Sequence, residues 1–169
     1  MILRAIAMAC GLTGAVGLSQ FPEFSQQYTQ RLSGAVKELE TIVARFDADA
    51  AGLGLTRAAA LEDLAQGSAM GAARAQSMGQ VLARHDRLQH ALRDLSGTSS
   101  LHKALNMRRF ADAELVRDTW TAYRPALPVT AEGLGFAAAG FILGYGLIGG
   151  ALSGLGRLTI RRRQTARQG

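Results

Sequence analysis

Hydrophobic residues are arranged along this chain in two ways, as apolar runs near both ends and as a helical repeat between them. Residues 133–155 include 23 positions without a charge, which as a helix extend about 34 Å, enough to cross the hydrocarbon core of a bilayer. Residues 5–21 include 17 uncharged positions, at the lower limit for a span. Arg4 lies just before that run and can extend its long side chain to the headgroups. The pattern predicts two membrane spans.

The middle of the chain repeats apolar residues every three or four positions, which is typical of amphipathic helices. The first repeat predicts a long helix that begins near Pro22, since proline suits a first helical turn, and ends at Gly52. Its coiled-coil-like stripe is Phe24, Tyr28, Leu32, Val36, Leu39, Val43 and Phe46. A second long helix carries Met78, Val81, Leu82, His85, Leu88, Leu92 and Leu95. Neither helix can bury its stripe alone, so we expect an antiparallel hairpin.

Capping residues place shorter helices around this hairpin. Thr56 is expected to cap a short helix that reaches about Ala65, and a further short helix is expected from Leu101. Asp112 can cap another helix, which ends before the prolines at 125 and 128. Thr130 is a suitable N-cap for the second span.

These elements predict an all-α membrane protein, with two transmembrane helices flanking an antiparallel helical hairpin and its short accessory helices. The prediction divides the chain into four segments. Residues 1–21 are the N-terminal transmembrane anchor, and residues 22–128 are the helical hairpin domain. Residues 129–156 are the second transmembrane helix, and residues 157–169 are a basic tail. A secretory signal peptide cleaved after residue 17 is the alternative for the first segment. We favour the anchor because the apolar character continues through Phe21 into the next helix without a polar break.

The net charge of the chain lies outside its middle. Residues 20–132 contain 13 Lys and Arg against 13 Asp and Glu, so the net charge of +6 comes from the flanks. The flanking basic residues are Arg4, Arg157, Arg161, Arg162, Arg163 and Arg167. Basic residues stay on the cytoplasmic side of a membrane and attract anionic headgroups, which predicts a multi-pass protein with both termini in the cytoplasm and the neutral middle on the far face. This location makes lipid, rather than nucleic acid, the expected partner of the arginines.

Both apolar runs contain small residues at helical spacing. The second run contains Gly140, Gly144, Gly146 and Gly150 in small-x-x-x-small pairs, and the first contains Gly11 and Ala15. Such spacing lets another helix approach closely, so these six residues are the predicted helix-packing positions, for contact between the spans or with a partner. The expected partner is a membrane protein or a second copy of the chain.

No constellation of catalytic or metal-binding residues is apparent in the sequence. His85 and His90 are five residues apart and face different sides of a helix, and Cys10 is the only cysteine. Phosphate-binding loops, dinucleotide fingerprints and nucleophile elbows do not occur. Neither span contains an Asp, Glu, Lys, Arg or His residue, which argues against transport by this chain alone. We therefore predict a protein that is not an enzyme and needs no cofactor.

Two stretches resemble a known family. Residues 17–36, GLSQFPEFSQQYTQRLSGAV, and residues 128–141, PVTAEGLGFAAAGF, are similar to a family of proteobacterial two-span membrane proteins catalogued only as a domain of unknown function. The resemblance covers nearly the whole chain and implies a bacterial inner-membrane protein, in which the predicted topology places the hairpin domain at 22–128 in the periplasm. It implies no reaction and supplies no catalytic residues.

The sequence thus favours a structural or accessory interaction protein of the membrane. It would pack through its glycine-rich faces and present the periplasmic hairpin as a docking surface. The alternatives are a non-catalytic subunit of a membrane enzyme or transporter complex, and a signal-cleaved single-span protein.

Overall fold

The computed structural model describes the backbone of residues 2–110 and 112–165, with side chains except at 148, 149 and 151–165. These residues form seven α-helices and one 3₁₀ turn, and no strand occurs among them. The helices are α1 Ile2–Ser19, α2 Phe21–Gly52, α3 Arg57–Gln66, α4 Ala69–Leu95, α5 Ser100–Leu105, α6 Ala113–Thr121 and α7 Ala131–Thr165, with the 3₁₀ turn at Met107–Arg109. The predicted all-α class is confirmed.

The chain divides into two compact units. One consists of Met1–Phe24 and Arg124–Gly169, and the other of Ser25–Tyr123. We call them the terminal unit and the central unit. The terminal unit contains α1 and α7, whereas the central unit contains most of α2 and the helices α3 to α6.

The predicted N-cap residues lie at the starts of helices in both units. The Thr56 hydroxyl accepts a hydrogen bond from the Ala59 amide at the start of α3, and Asp112 accepts one from Leu115 at the start of α6. At α7 the Thr130 hydroxyl accepts from the Gly133 amide at 3.1 Å. These predictions are confirmed, because each side chain satisfies an amide that the helix itself leaves without a partner.

The central unit is built around one apolar cluster. It contains Tyr28, Leu32 and Val36 of α2, Leu88 and Leu95 of α4, and Leu115 of α6. The N-terminal half of α2 and the C-terminal half of α4 thus contribute to the same core. The antiparallel hairpin of these two helices stays a prediction. The predicted stripe residues of α2 are buried or half-buried. Ile42, which the repeat also places near that stripe, is 41% exposed.

α3 packs beside α4 through a tight turn. A Cβ at Gly71, in the first turn of α4, would lie 2.5 Å from the carbonyl oxygen of Leu64 in α3. Real Cβ atoms do not approach a backbone oxygen this closely, so glycine is required there. Trp120 of α6 and Tyr123 stack with ring centroids 6.1 Å apart.

One helical run of the described chain, Ile2–Gly52, is long and apolar enough to cross a membrane by length and composition. Its apolar part is α1. Ala131–Leu147 in α7 is a shorter apolar helix among the described residues. The predicted second span continues to Leu155, and its residues 148, 149 and 151–155 lie outside those whose side chains the structure describes.

Candidate functional site

The surface between α1 and α7 is the best-formed feature of the terminal unit, and small residues dominate it. The buried and half-buried positions of α1 are Ala7, Cys10, Gly11, Gly14, Ala15 and Ser19. The corresponding described positions of α7 are Gly133, Phe136, Ala137, Gly140, Phe141 and Gly144. On both helices they recur every three or four residues and so form one face. Ten of these twelve residues are small, which allows the two backbones to approach closely.

The closest approach of the two backbones lies at a pair of glycines. A Cβ at Gly140 would collide with the carbonyl oxygen of Gly14, and would lie 2.6 Å from the Gly14 carbonyl carbon. A Cβ at Gly14 would in turn collide with the carbonyl oxygen of Gly140. One turn further along, a Cβ at Gly144 would collide with the carbonyl oxygen of Cys10. The obstructing atoms are backbone, which cannot move aside as a flexible side chain can.

These contacts fix the direction of the two helices. Residue numbers fall along α7 as they rise along α1, since Cys10 faces Gly144, Gly14 faces Gly140, and the Phe21 ring stacks on Phe136 at 5.5 Å. The helices are therefore antiparallel. The same register continues toward the start of α1 and places Arg4 level with Gly150 of α7.

The structure brings together some of the predicted packing residues and leaves others apart. A Cβ at Gly11 would lie 2.8 Å from the Phe141 ring, and the Ala15 amide lies 3.0 Å from a Cβ at Gly140. Gly146 and Gly150 have no described atom within 4 Å of an added Cβ, so contact with a partner helix stays a prediction for them. Arg4 is exposed on α1. The other predicted lipid or topology residues, Arg157, Arg161, Arg162 and Arg163, lie outside the residues whose side chains are described.

Sequence reasoning missed Gly14, although a signal for it exists. Gly14 lies three residues after Gly11, on the same face of the helix. The predicted packing positions were four residues apart and therefore did not include it. The structure also places the backbone of Cys10 against Gly144.

A second contact joins the end of α1 to the segment before α7. The side-chain amide of Gln20 donates to the carbonyl oxygen of Ala126, and its oxygen accepts from the Ala126 amide, both at 3.2 Å. The Gln20 amide also donates to the Ser19 hydroxyl at 3.2 Å. This pairing satisfies both backbone groups of Ala126 and holds the connecting segment at one end of the helix pair.

The outward faces of the helix pair carry large apolar side chains. On α1 the exposed ones are Ile2, Leu3, Ile6, Met8, Leu12, Val16 and Leu18, and on α7 they are Leu134, Ile142, Leu143, Tyr145 and Leu147. Ile142 is 69% exposed and Val16 is 66% exposed. The terminal unit therefore has small residues between its helices and large apolar side chains on its outer surface, which is the reverse of a water-soluble helix pair.

The central unit has a cavity of about 430 Å³ between α2, α4 and the start of α6. Arg84 lies on its wall and forms ion pairs with Glu114 at 2.7 Å and Asp112 at 3.6 Å. The Tyr28 hydroxyl is buried, and no described group forms a hydrogen bond with it. Burial raises the pKa of Tyr28, and the neighbouring Asp112 carboxylate raises it further. Both ion pairs join Arg84 of α4 to the start of α6, so we interpret this cluster as an anchor for α6.

Within the described residues, no three His, Cys, Asp or Glu side chains converge as metal ligands would. His85 Nδ1 lies 3.5 Å from its neighbour Asp86, and the His90 ring contacts the Asp86 carbonyl oxygen at 2.7 Å. Arg57 forms a two-bond ion pair with Asp47, and its hydrogen bonds hold the pKa of that carboxyl below its usual range. Both side chains of this pair are partly exposed, at 46% and 39%, as is usual for structural surface pairs.

The sequence matches one family model, described as a protein of unknown function (DUF2937), over residues 2–162. No curated protein and no solved structure matches the chain.

Proposed function

The chain belongs to the DUF2937 family of proteins of unknown function, and we propose that it is a structural or accessory protein of the bacterial inner membrane. In this proposal α1 and α7 are an antiparallel pair of membrane spans. They hold the central unit on the periplasmic face, where it acts as a non-catalytic docking module.

The observation that carries the proposal is the inverted distribution of side chains in the terminal unit. A water-soluble helix pair buries its large apolar residues, because each contributes about 1.5–3 kcal/mol when it leaves water. Here twelve large apolar residues of α1 and α7 point outward. Lipid chains can cover such a surface at no cost, and small residues between the helices supply the close packing that replaces the hydrophobic effect in a bilayer.

The register of the two helices supports the proposed topology. Because α1 and α7 are antiparallel, Arg4 and the basic residues after 156 belong to the same end of the pair. The positive-inside tendency then assigns that end to the cytoplasm. The opposite end, at Gln20 and Ala126, leads into a central unit whose segment 20–132 has no net charge.

A partner helix is part of the proposal, because Gly146 and Gly150 lie outside the α1–α7 contact. They form a small-x-x-x-small pair that a membrane-protein partner, or a second copy of this chain, could approach. A non-catalytic subunit of a larger membrane complex would use them in the same way. In-membrane crosslinking of the full chain tests this. Gly146→Leu is expected to reduce crosslinked complexes, and an unchanged yield would count against a partner at this face.

Membrane extraction tests the proposal itself. We expect the full chain to stay with the membrane after washing with sodium carbonate at high pH, which removes peripheral proteins, and to be released by detergent. An intact Met1 found by mass spectrometry would exclude the signal-cleaved alternative. Release by carbonate alone would refute the two-span proposal.

A further inference from the structure

The short helix α5 of the central unit packs with its leucines outward. Ser100 is buried, and Lys103 and Ala104 are half-buried, so this is the face that α5 turns toward the protein. Leu101 and Leu105, four residues apart, share the opposite face. They are 61% and 77% exposed. A helix that stabilises its own domain would place these two residues inward.

Basic and apolar residues continue this surface along the chain. Met107 is 62% exposed, and Arg108 and Arg109 follow it on the exposed 3₁₀ turn. We name Leu101, Leu105, Met107, Arg108 and Arg109 the α5 edge. Arg109 forms an ion pair with Asp94 of α4 at 3.0 Å, and Lys103 donates a hydrogen bond to the Thr29 hydroxyl. Arg108 is the exposed basic residue of the edge for which the described residues give no ion pair.

The α5 edge is a local concentration of exposed apolar residues. In residues 25–99 of the central unit the described large apolar side chains that are exposed are Ile42, Leu53 and Met70, far apart in sequence and without a shared helix face. The α5 edge includes three within seven residues. Isolated exposed apolar residues are normal for a folded protein, whereas a group with a shared direction indicates a binding surface.

The chemistry of the edge fits a lipid surface. A negatively charged headgroup layer attracts the basic residues, and the apolar side chains can enter the boundary below it. We propose that the α5 edge docks on the anionic phospholipid headgroups of the periplasmic leaflet. This inference rests on the proposed function, because the two spans would keep the central unit next to a bilayer. Such tethering raises the effective concentration of the surface, so that a weak interfacial motif is sufficient.

Tryptophan fluorescence in lipid nanodiscs tests the proposal with the full chain. Trp120 is the only tryptophan, so Trp120→Phe gives a background without tryptophan emission. Into it we would introduce Leu105→Trp at the α5 edge, Leu53→Trp as a control of equal exposure, at 75%, and Ile6→Trp in the first span. Anionic phospholipids with bromine atoms at shallow depth quench tryptophan near the interface. We expect loss of emission for Leu105→Trp and Ile6→Trp, and unchanged emission for Leu53→Trp.

The outcomes separate this inference from the proposed function. Quenching of Ile6→Trp without quenching of Leu105→Trp would overturn docking and leave the two-span proposal standing. If neither is quenched, both proposals fail. Protection of Leu105→Trp from aqueous iodide without lipid quenching would mean that protein covers the edge, which also overturns docking on lipid.

Charge provides a second arm of the test. Arg108→Gln removes one exposed basic residue, and the loss of about 1 kcal/mol of attraction to an anionic surface corresponds to roughly fivefold less docked protein. Replacing anionic with neutral lipids should also weaken the quenching of Leu105→Trp, as Arg108→Gln does. Quenching that responds to neither change would overturn the electrostatic part of the proposal.

Discussion

The substitution Gly140→Ala tests the close packing of α1 and α7. The added Cβ would lie 2.6 Å from the carbonyl carbon of Gly14, whereas ordinary contacts begin at 3.4 Å. The carbonyl oxygen of Gly14 lies closer still, so the two backbones must separate locally by more than 0.8 Å. A gap of about 0.5–1 Å already forfeits a quarter to a half of the dispersion energy of each affected atom pair. Overpacking of this kind typically costs about 1–3 kcal/mol.

Gly135→Ala is the matched control in the same helix. No described atom lies within 4 Å of a Cβ at Gly135. Both substitutions replace glycine with alanine inside α7, so the gain in helix propensity of about 1 kcal/mol is common to both and cancels in the comparison. We expect Gly140→Ala to be less stable than Gly135→Ala by about 1–3 kcal/mol.

Two measurements follow the helix pair directly. Denaturation with SDS in mixed micelles gives the difference in free energy of unfolding between the two variants. Pulsed EPR between spin labels at Leu12→Cys and Ile142→Cys, in a Cys10→Ala background, reports the separation of the helices, since both side chains are exposed. Equal stabilities together with an unchanged label distance for Gly140→Ala would refute the glycine contact.

Three further substitutions test other parts of the structure. Tyr28→Phe removes a buried hydroxyl without a described hydrogen-bond partner, so we expect the free energy of unfolding to rise by about 1 kcal/mol, and a fall would contradict this. Arg57→Gln should raise the pKa of Asp47 toward its usual value in an NMR titration. The folded-state pKa of Asp47 is lowered, so this pair stabilises the fold above the unfolded pKa of about 3.9, and the stabilisation is lost as pH falls through the folded-state pKa. A difference in stability between wild type and variant that does not change with pH would argue against this ion pair. Gln20→Ala removes two hydrogen bonds to Ala126 and should speed amide hydrogen exchange at Ala126, whereas unchanged exchange would exclude the contact.

Local patterns were sufficient to predict the helices. The caps Thr56, Asp112 and Thr130 act within one turn of their own residues, so the sequence near each position determines them. The four-residue spacing of Tyr28, Leu32 and Val36 likewise identifies the buried face of α2, because helical periodicity alone places them together.

Features that depend on distant or outward-facing contacts could not be predicted in the same way. Gln20 and Ala126 are 106 residues apart, and nothing near either residue indicates their pairing. Gly146 and Gly140 have the same small-residue spacing, yet only Gly140 lies against α1, because the register of the helix pair decides which glycines meet. The sequence could not predict that Leu101 and Leu105 face outward. Helical periodicity shows that two residues share a face, but it does not show what that face contacts.

The central claim is that α1 and α7 cross the membrane as an antiparallel pair, with both chain ends on the cytoplasmic side and the central unit outside. Substituted-cysteine labelling in a Cys10→Ala background tests it, with single cysteines at Leu53 in the central unit and Gln168 in the C-terminal tail. A maleimide that cannot cross the inner membrane is added to cells with a permeabilised outer membrane. Our account predicts labelling of Leu53→Cys in intact cells, and labelling of Gln168→Cys only after the inner membrane is disrupted. Labelling of both positions from the same side would contradict it.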